Sequence, residues 1–315
     1  MVYQTEEIYH TFTKASRIGI VGHMNPDGDA LGSMSALAFL LEQINKTIIL
    51  YVPNEYPYNY NILRFGKNIK TTFEEEDALD VLVALDCGNE KRVDGYQKFR
   101  QAVPCVVNID HHSDNNMFGD INWIGTYSSV GEMIYIFAEQ NNLSLTKDIA
   151  ACLYVSVYTD TGGFRFPNTN SHSLITAGKL MEYDFNMPET LAAIFERKSL
   201  EELRDLGTTL ASAEVDLDGA IIWTVQPLAA SALSYEAVDF LKTVENVQVA
   251  LIFKEVEEKK YKVSLRSKGH VDVSSIAAHF GGGGHKGAAG VVMTGDATDV
   301  QHQVLDYIKE VINRS

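Results

Sequence analysis

The sequence predicts an α/β protein in two parts: a parallel-sheet lobe, a helical linker, and a smaller mixed-sheet α/β lobe at the C-terminus. Three observations carry this. Continuous apolar runs in the first part stop at aspartate or at Gly-His, as inner strands of a parallel sheet do when both faces are covered. Helix-patterned segments separate them, as right-handed βαβ crossovers require. After residue 212 the pattern changes to strands, a glycine run and a closing helix.

In order, RIGIV (17–21) reads as a strand, and ALGSMSALAFLLEQI (30–44), apolar nearly all round, as a buried helix. TIILYV (47–52), DVLVALD (80–86) and CVVNID (105–110) are the next strands, the last two ending at Asp. Residues 128–212 read as mainly helical. Ser129 and Glu132 form an S-x-x-E capping box, TKDIAACLYVSVYTD (146–160) is a further helix, and SLEELRDLGTTLAS (199–212) is a polar, helix-favouring connector. AIIWTV (220–225), VQVALIFKEV (247–256) and KYKVSLRS (260–267) are strands, with EEKK (257–260) as a hairpin tip. In the closing helix Val300, Val304, Leu305, Ile308, Val311 and Ile312 share one face. The expected domains are 1–200 and 213–315, with the boundary near 200–215.

The chain has 315 residues, 45% hydrophobic and 22% charged, an ordinary globular balance. No apolar run approaches the roughly 18 residues of a membrane span. The start, MVYQTEEIYHTF, lacks the basic and apolar pattern of a signal peptide. Cys87, Cys105 and Cys152 are odd in number and form no CxxC pair, which argues against a disulfide framework and a zinc knuckle, and points to a reducing cytoplasm. The net charge is −16, and residues 213–315 hold 10 basic against 14 acidic residues, so neither half offers a basic track. Long nucleic acid is thereby disfavoured as a partner, and so is a membrane; any nucleic-acid substrate is short. A homodimer is compatible with the sequence.

Three strands run into metal-ligand residues: His23, Asp27 and Asp29 after the first, Asp86 at the end of 80–86, and Asp110-His111-His112 at the end of 105–110. Ligands bind beyond the carboxyl ends of strands in open α/β sheets, so His23, Asp27, Asp29, Asp86 and His111 are expected to converge. Asp160, closing a helical run before Thr161-Gly162-Gly163, is a natural sixth member. Four carboxylates and two imidazoles in one crevice repel and desolvate badly if bare. Two divalent metal ions balance four carboxylates; mixed His and Asp donors suit Mn2+ better than Ca2+. Ions about 3.5–4 Å apart stabilise in-line attack on phosphorus. Each piece has a plainer reading too: Asn25 to Asp29 as a turn and helix cap, Asp86 as a strand end, Asp160 with Gly162-Gly163 as a helix C-terminal turn.

Taken together, His23-x-x-x-Asp27-x-Asp29, Asp86, Asp110-His111-His112 and Thr159-Asp160-Thr161-Gly162 resemble the four ordered motifs of the DHH phosphoesterase superfamily. Gly281 to Gly290 resembles the signature of the C-terminal substrate domain found with one branch of it. The resemblance spans most of the chain and departs at no motif position. It implies a cleft between the two lobes. It also implies one metal held by His23, Asp27 and Asp86 and the other by Asp29, Asp86, His111 and Asp160, with Asp86 bridging. His112 then faces the substrate, contacting the scissile phosphate or helping protonate the leaving oxygen, and Asp110 orients an imidazole. The implied activity is hydrolysis of very short RNA oligonucleotides to mononucleotides and of the small nucleotide phosphate 3'-phosphoadenosine 5'-phosphate (pAp) to AMP. A cyclic- or linear-dinucleotide phosphodiesterase and a catalytically silent nucleotide-binding protein are the alternatives; no metal ligand is lost, which disfavours the silent one.

The glycine run is flanked by a helix-like segment (272–280) and an apolar one, a poor setting for a linker. Its backbone N–H groups at Gly282, Gly283 and Gly284 can cradle a phosphate, with Arg266 and His285 adding contacts to a phosphate or base. Arg165 is either a phosphate contact or a surface arginine. Tyr56, Tyr58 and Tyr60 either stack on bases or pack their loop, the second being favoured, and Cys87 is read as packing rather than as a nucleophile.

Overall fold

The computed structural model describes residues 2–52, 58–63, 68–228, 234–269 and 271–314, and only the backbone of Val2, Tyr3, Tyr58, Ser234, Tyr235 and His285. The chain divides into two compact units, Met1–Arg197 and Lys198–Ser315.

Among the described residues the first unit runs α1 (Val2–Lys14), β1 (Arg17–Val21), α2 (Gly28–Gln43), β2 (Thr47–Tyr51), β3 (Ile69–Lys70), β4 (Val81–Leu85), α3 (Tyr96–Ala102), β5 (Cys105–Asp110), β6 (Ile121–Ile124), α4 (Val130–Gln140), α5 (Lys147–Asp160), α6 (Ser171–Leu180) and α7 (Met187–Phe195). The strands form one parallel sheet in the order β3-β2-β1-β4-β5-β6. Both faces are covered, which explains the unbroken apolar runs. Val81, Val83 and Leu85 of β4 face α2, α4 and α5, while Leu82 and Ala84 face α3. The chain leaves β1 for β2 on one side and returns to β4 on the other. This is a topological switch, and the crevice at the carboxyl ends of β1 and β4 is where ligands bind in such sheets.

Helices α2 and α5 meet at very short range. A Cβ on Gly28 would come within 2.5 Å of the Thr159 side chain, and one on Gly32 within 2.5 Å of the Cys152 carbonyl. That approach brings Asp29, in the first turn of α2, beside Asp160, the last residue of α5.

The second unit runs α8 (Leu200–Ala211), β7 (Glu214–Asp216), β8 (Ile221–Gln226), α9 (Ser234–Lys242), β9 (Val249–Glu257), β10 (Lys260–Ser267), α10 (Val273–His279), β11 (Gly283–His285), β12 (Ala288–Thr294) and α11 (Ala297–Arg314). Its sheet, in the order β11-β12-β10-β9-β8-β7, is antiparallel except where β8 lies parallel to β9. Leu251, Phe253, Val263 and Leu265 pack against α10 and α11 on one face; Ile222, Ala250 and Ile252 pack against α8 and α9 on the other. The stretch read as a connector thus contributes Leu206 to this unit's core. Among the described residues no helix is long and apolar enough to cross a membrane.

Candidate metal centre

Each ligand candidate sits where a regular element gives way. After β1 the chain turns through Asn25, in the left-handed region at φ 56°, to Asp27. Asp27 Oδ1 accepts from the amides of Asp29 (3.0 Å) and Ala30 (3.1 Å) and so caps α2. The helix-cap reading and the ligand reading therefore fall on the same carboxylate. Asp86 follows β4 with φ 58°, a conformation that costs a non-glycine residue energy and is held by its N–H donating to the Ile109 carbonyl (3.1 Å). Asp110 closes β5 and delivers His111 and His112 beyond the sheet edge.

Three groups of donor atoms converge: His23, Asp27 and Asp86; Asp29, His111 and Asp160; and Asp86 with Asp110, His111 and His112, the atoms of each group lying within 4.8 Å of one another. His23 Nε2 stands 3.8 Å from Asp27 Oδ1 and 3.5 Å from Asp86 Oδ2. His111 Nε2 stands 3.7 Å from Asp29, 3.6 Å from Asp86 and 3.8 Å from Asp160. The other nitrogens of both rings are committed. His23 Nδ1 meets the Met24 carbonyl (2.8 Å) and His111 Nδ1 the Tyr127 carbonyl (3.2 Å). A carbonyl only accepts, so Nδ1 carries the hydrogen and Nε2 is turned toward the carboxylates, as a ligating imidazole requires. His112 differs: its Nδ1 donates to Asp110 Oδ1 (2.6 Å), whose other oxygen accepts from Asn115 (2.6 Å).

Charge in this cluster is strongly perturbed. Burial opposes a charged His23, but Asp27 and Asp86 outweigh it and push the imidazole up to about 10. His111 and His112 are raised against the same penalty by Asp86 and Asp110 respectively, aided by the surrounding carboxylates. Burial would raise Asp86, yet His111 and His23 hold it well below the usual range. Burial and repulsion from Asp86 push Asp29 up to about 7, and burial with repulsion from Asp29 raises Asp160. Protons are thus drawn to both imidazoles and carboxyls, the response of a buried site with surplus negative charge. Asp86 Oδ1 is buried without a hydrogen-bond partner, an expensive state for a carboxylate oxygen. The donor set, the turned imidazoles and the orphaned oxygen fit divalent cations.

The C-terminal expectations fare differently. The glycine run is not an open loop. Gly283–His285 is the edge strand β11, paired with β12. A Cβ on Gly282 would fall 2.3 Å from the Gly290 carbonyl, and one on Gly284 2.5 Å from the Ala288 carbonyl, so backbone packing alone requires glycine at both. Arg266 donates from Nε to Asp239 (2.9 Å) and from Nη1 to the Leu265 carbonyl (3.2 Å). The His285 side chain lies outside the described residues, as do Tyr56 and the Tyr58 side chain. Tyr60 is buried in the first unit's core, Arg165 is exposed with Nε on the Gly162 carbonyl (2.7 Å), and the buried Cys87 thiol, pushed up by burial, bonds the Leu85 carbonyl. Asn115, Asn168 and Ser156 support the carboxylates of the centre. Sequence reasoning missed all three, since no spacing marks them.

An open parallel sheet with His and Asp donors gathered past its switch-point strands is the architecture of an α/β protein with a metal-binding crevice. Residues 17–157 match the DHH family, N-terminal domain, and residues 223–314 match the DHHA1 domain. The chain is 30% identical over 305 residues, covering 95% of this chain and 91% of the relative, to the bifunctional oligoribonuclease and PAP phosphatase NrnA of Thermus thermophilus. The crystal structure of an exopolyphosphatase-related protein from Bacteroides fragilis superposes with a TM-score of 0.90 at 26% identity, covering 99% of this chain and 98% of that one. RecJ of Thermus thermophilus in complex with Mn2+ shares the fold, with a TM-score of 0.60 at 14% identity over 98% of this chain and 54% of RecJ. This chain belongs to the DHH family.

Proposed function

We propose that this protein hydrolyses very short RNA oligonucleotides to mononucleotides, and pAp to AMP, using two divalent metal ions, with Mn2+ the best fit. The observation that carries the proposal is the convergence of His23, Asp27, Asp29, Asp86, His111 and Asp160 at the sheet's switch point, in a chain aligned over nearly its whole length with an oligoribonuclease and PAP phosphatase. On this reading His23, Asp27 and Asp86 would hold one ion, and Asp29, Asp86, His111 and Asp160 would hold the other. When bound, the ions would supply positive charge to the scissile phosphate and polarise the attacking water.

The chain's own groups do the remaining work. Asp110 fixes the hydrogen of His112 on Nδ1. Nε2 is then the atom that meets the phosphate or passes a proton to the leaving oxygen. Residues 1–200 form the catalytic domain and 213–315 the substrate-binding domain, where Arg266, Gly282, Gly283, Gly284 and His285 contact phosphate or base. The net charge of −16 turns away long polyanions, which matches a cytoplasmic enzyme that finishes short fragments.

A substrate panel tests this. With Mn2+ or Mg2+, the protein should release AMP from pAp and mononucleotides from di- to pentanucleotide RNA, and should act far more slowly on long single-stranded RNA. Turnover confined to cyclic dinucleotides or pyrophosphate, or equal rates on long and short RNA, would overturn the proposal.

A further inference from the structure

The turn from β6 into α4, residues 127–131, carries no metal ligand, yet it holds every member of the Asp29–His111–Asp160 group. The Tyr127 carbonyl accepts from His111 Nδ1 (3.2 Å). The amides of Val130 (2.9 Å) and Gly131 (3.2 Å) donate to the two oxygens of Asp29. Asn168 Nδ2 donates to the Ser128 carbonyl (2.9 Å) and to Asp160 Oδ2 (2.9 Å), tying that carboxylate to the same turn. The turn is itself fixed by Glu132, a buried acid with no part in the proposed chemistry. Glu132 Oε2 accepts from the Ser128 amide (2.8 Å) and hydroxyl (2.5 Å), while Ser129 Oγ caps α4 through the Glu132 amide (3.0 Å). Gly131 has no side chain to spare: a Cβ there would lie 2.0 Å from Ser156 Oγ, which bonds Asp29.

The His23–Asp27 group is held only locally by comparison. His23 Nδ1 bonds the next residue's carbonyl, and the Asp27 side chain, 57% exposed, bonds amides of the helix it caps.

We propose that Glu132 and Asn168 are positioning residues for the Asp29–His111–Asp160 metal position, acting through the 127–131 turn, and that the His23–Asp27 position does not depend on them. The inference rests on the two-metal reading above. Partners that orient ligands set metal affinity nearly as much as the ligands do, because a donor left to rotate must be ordered when the ion binds.

The experiment is calorimetric titration of the metal-free full chain with Mn2+, for wild type, Glu132→Ala, Glu132→Gln and Asn168→Ala, with kcat and KM on a short RNA measured beside it. Wild type should take two ions. Glu132→Ala and Asn168→Ala should weaken one of them by about 10- to 100-fold, leave the other unchanged, and lower kcat more than they raise KM. Glu132→Gln keeps an acceptor oxygen in place and should restore binding. A wild type that does not take two Mn2+ overturns the two-metal reading. A wild type that takes two while both disruptive variants also keep both overturns the brace alone. Equal weakening of the two ions, or no rescue by glutamine, overturns it too. Should Glu132→Ala not fold, Asn168→Ala, in a part-buried loop, decides by itself.

Discussion

The two units keep their ionisable groups in opposite places. Among the described residues every buried acid or histidine, namely His23, Asp29, Asp77, Asp86, Asp110, His112 and Glu132, lies in the first unit. Among its described residues the second unit buries Thr209, Thr224 and Gln226 but no charged side chain, and its acids and bases are half-buried or exposed. A parallel sheet explains much of this, because all its carboxyl ends meet at one edge and the residues ending β1, β4 and β5 are gathered there whether or not their charges agree. In the mixed sheet of the second unit most neighbouring strands run antiparallel, so their carboxyl ends are divided between two edges. Buried charge is therefore gathered in the first unit, where the candidate metal centre lies.

The sharpest way to break this contrast is Asp86→Ala. If Asp86 serves both ions, turnover of short RNA should fall by about 10^3-fold or more, since charge stabilisation at the reacting phosphate is lost together with the metals. Near-normal kcat in Mn2+ would refute its role. Next come the two adjacent histidines. His111→Ala should lose metal and rate together. His112→Ala should keep its metal and lose about 10^2-fold or more in kcat, as removal of a positioned proton donor does. Metal analysis of the purified proteins separates them, and equal metal loss would make His112 a ligand.

A smaller effect tests the second unit. Arg266→Ala should lower kcat/KM for pAp and short RNA by about tenfold, or ~1.4 kcal/mol, while leaving bound metal intact. Bis-p-nitrophenyl phosphate has no second phosphate or base for this unit to hold, so its hydrolysis should change little. Equal losses on both substrates would show that this unit supports the centre itself. The smallest expected effect concerns Asp77, a buried acid of the first unit outside the centre. Burial would raise its carboxyl, but bonds from Lys70, Tyr51 and the Glu74 amide hold it below the usual range. A depressed folded value means that its contribution is present above the ordinary carboxylate pKa and is lost as pH falls through the folded one. Asp77→Asn should thus flatten the acid limb of the unfolding free energy plotted against pH by about 1 kcal/mol. An unchanged acid limb would show that this acid contributes nothing to folding.

Much of the first unit was legible because its signals are local. β1 and β5 fall on the predicted 17–21 and 105–110, since runs buried on both faces are apolar throughout. β10 likewise matches 260–267. The capping expectation was half right: Ser129 caps α4, but Glu132 reaches back to Ser128 rather than to Ser129. The short edge strands β3 and β6 escaped notice because two to four residues carry too little pattern. Nothing in the glycine run marks a strand, since glycine carries no alternating pattern, yet its absent side chains let β11 pair closely with β12.

By itself the sequence determined which donors this protein possesses and the order in which strands deliver them: His23, Asp27 and Asp29, then Asp86, then Asp110 to His112, then Asp160. Those assignments need only the end of a strand or helix, which is a property of neighbouring residues. Tertiary structure alone decided which atom of each donor points inward. The proton on His111 Nδ1 depends on Tyr127, the set of Asp29 on Val130, Gly131 and Ser156, and that of Asp160 on Asn168 and Ser128. Several of these partners lie a hundred residues or more from the group they orient. A hydrogen bond across such a separation exists only once the sheet and its helices have closed around it.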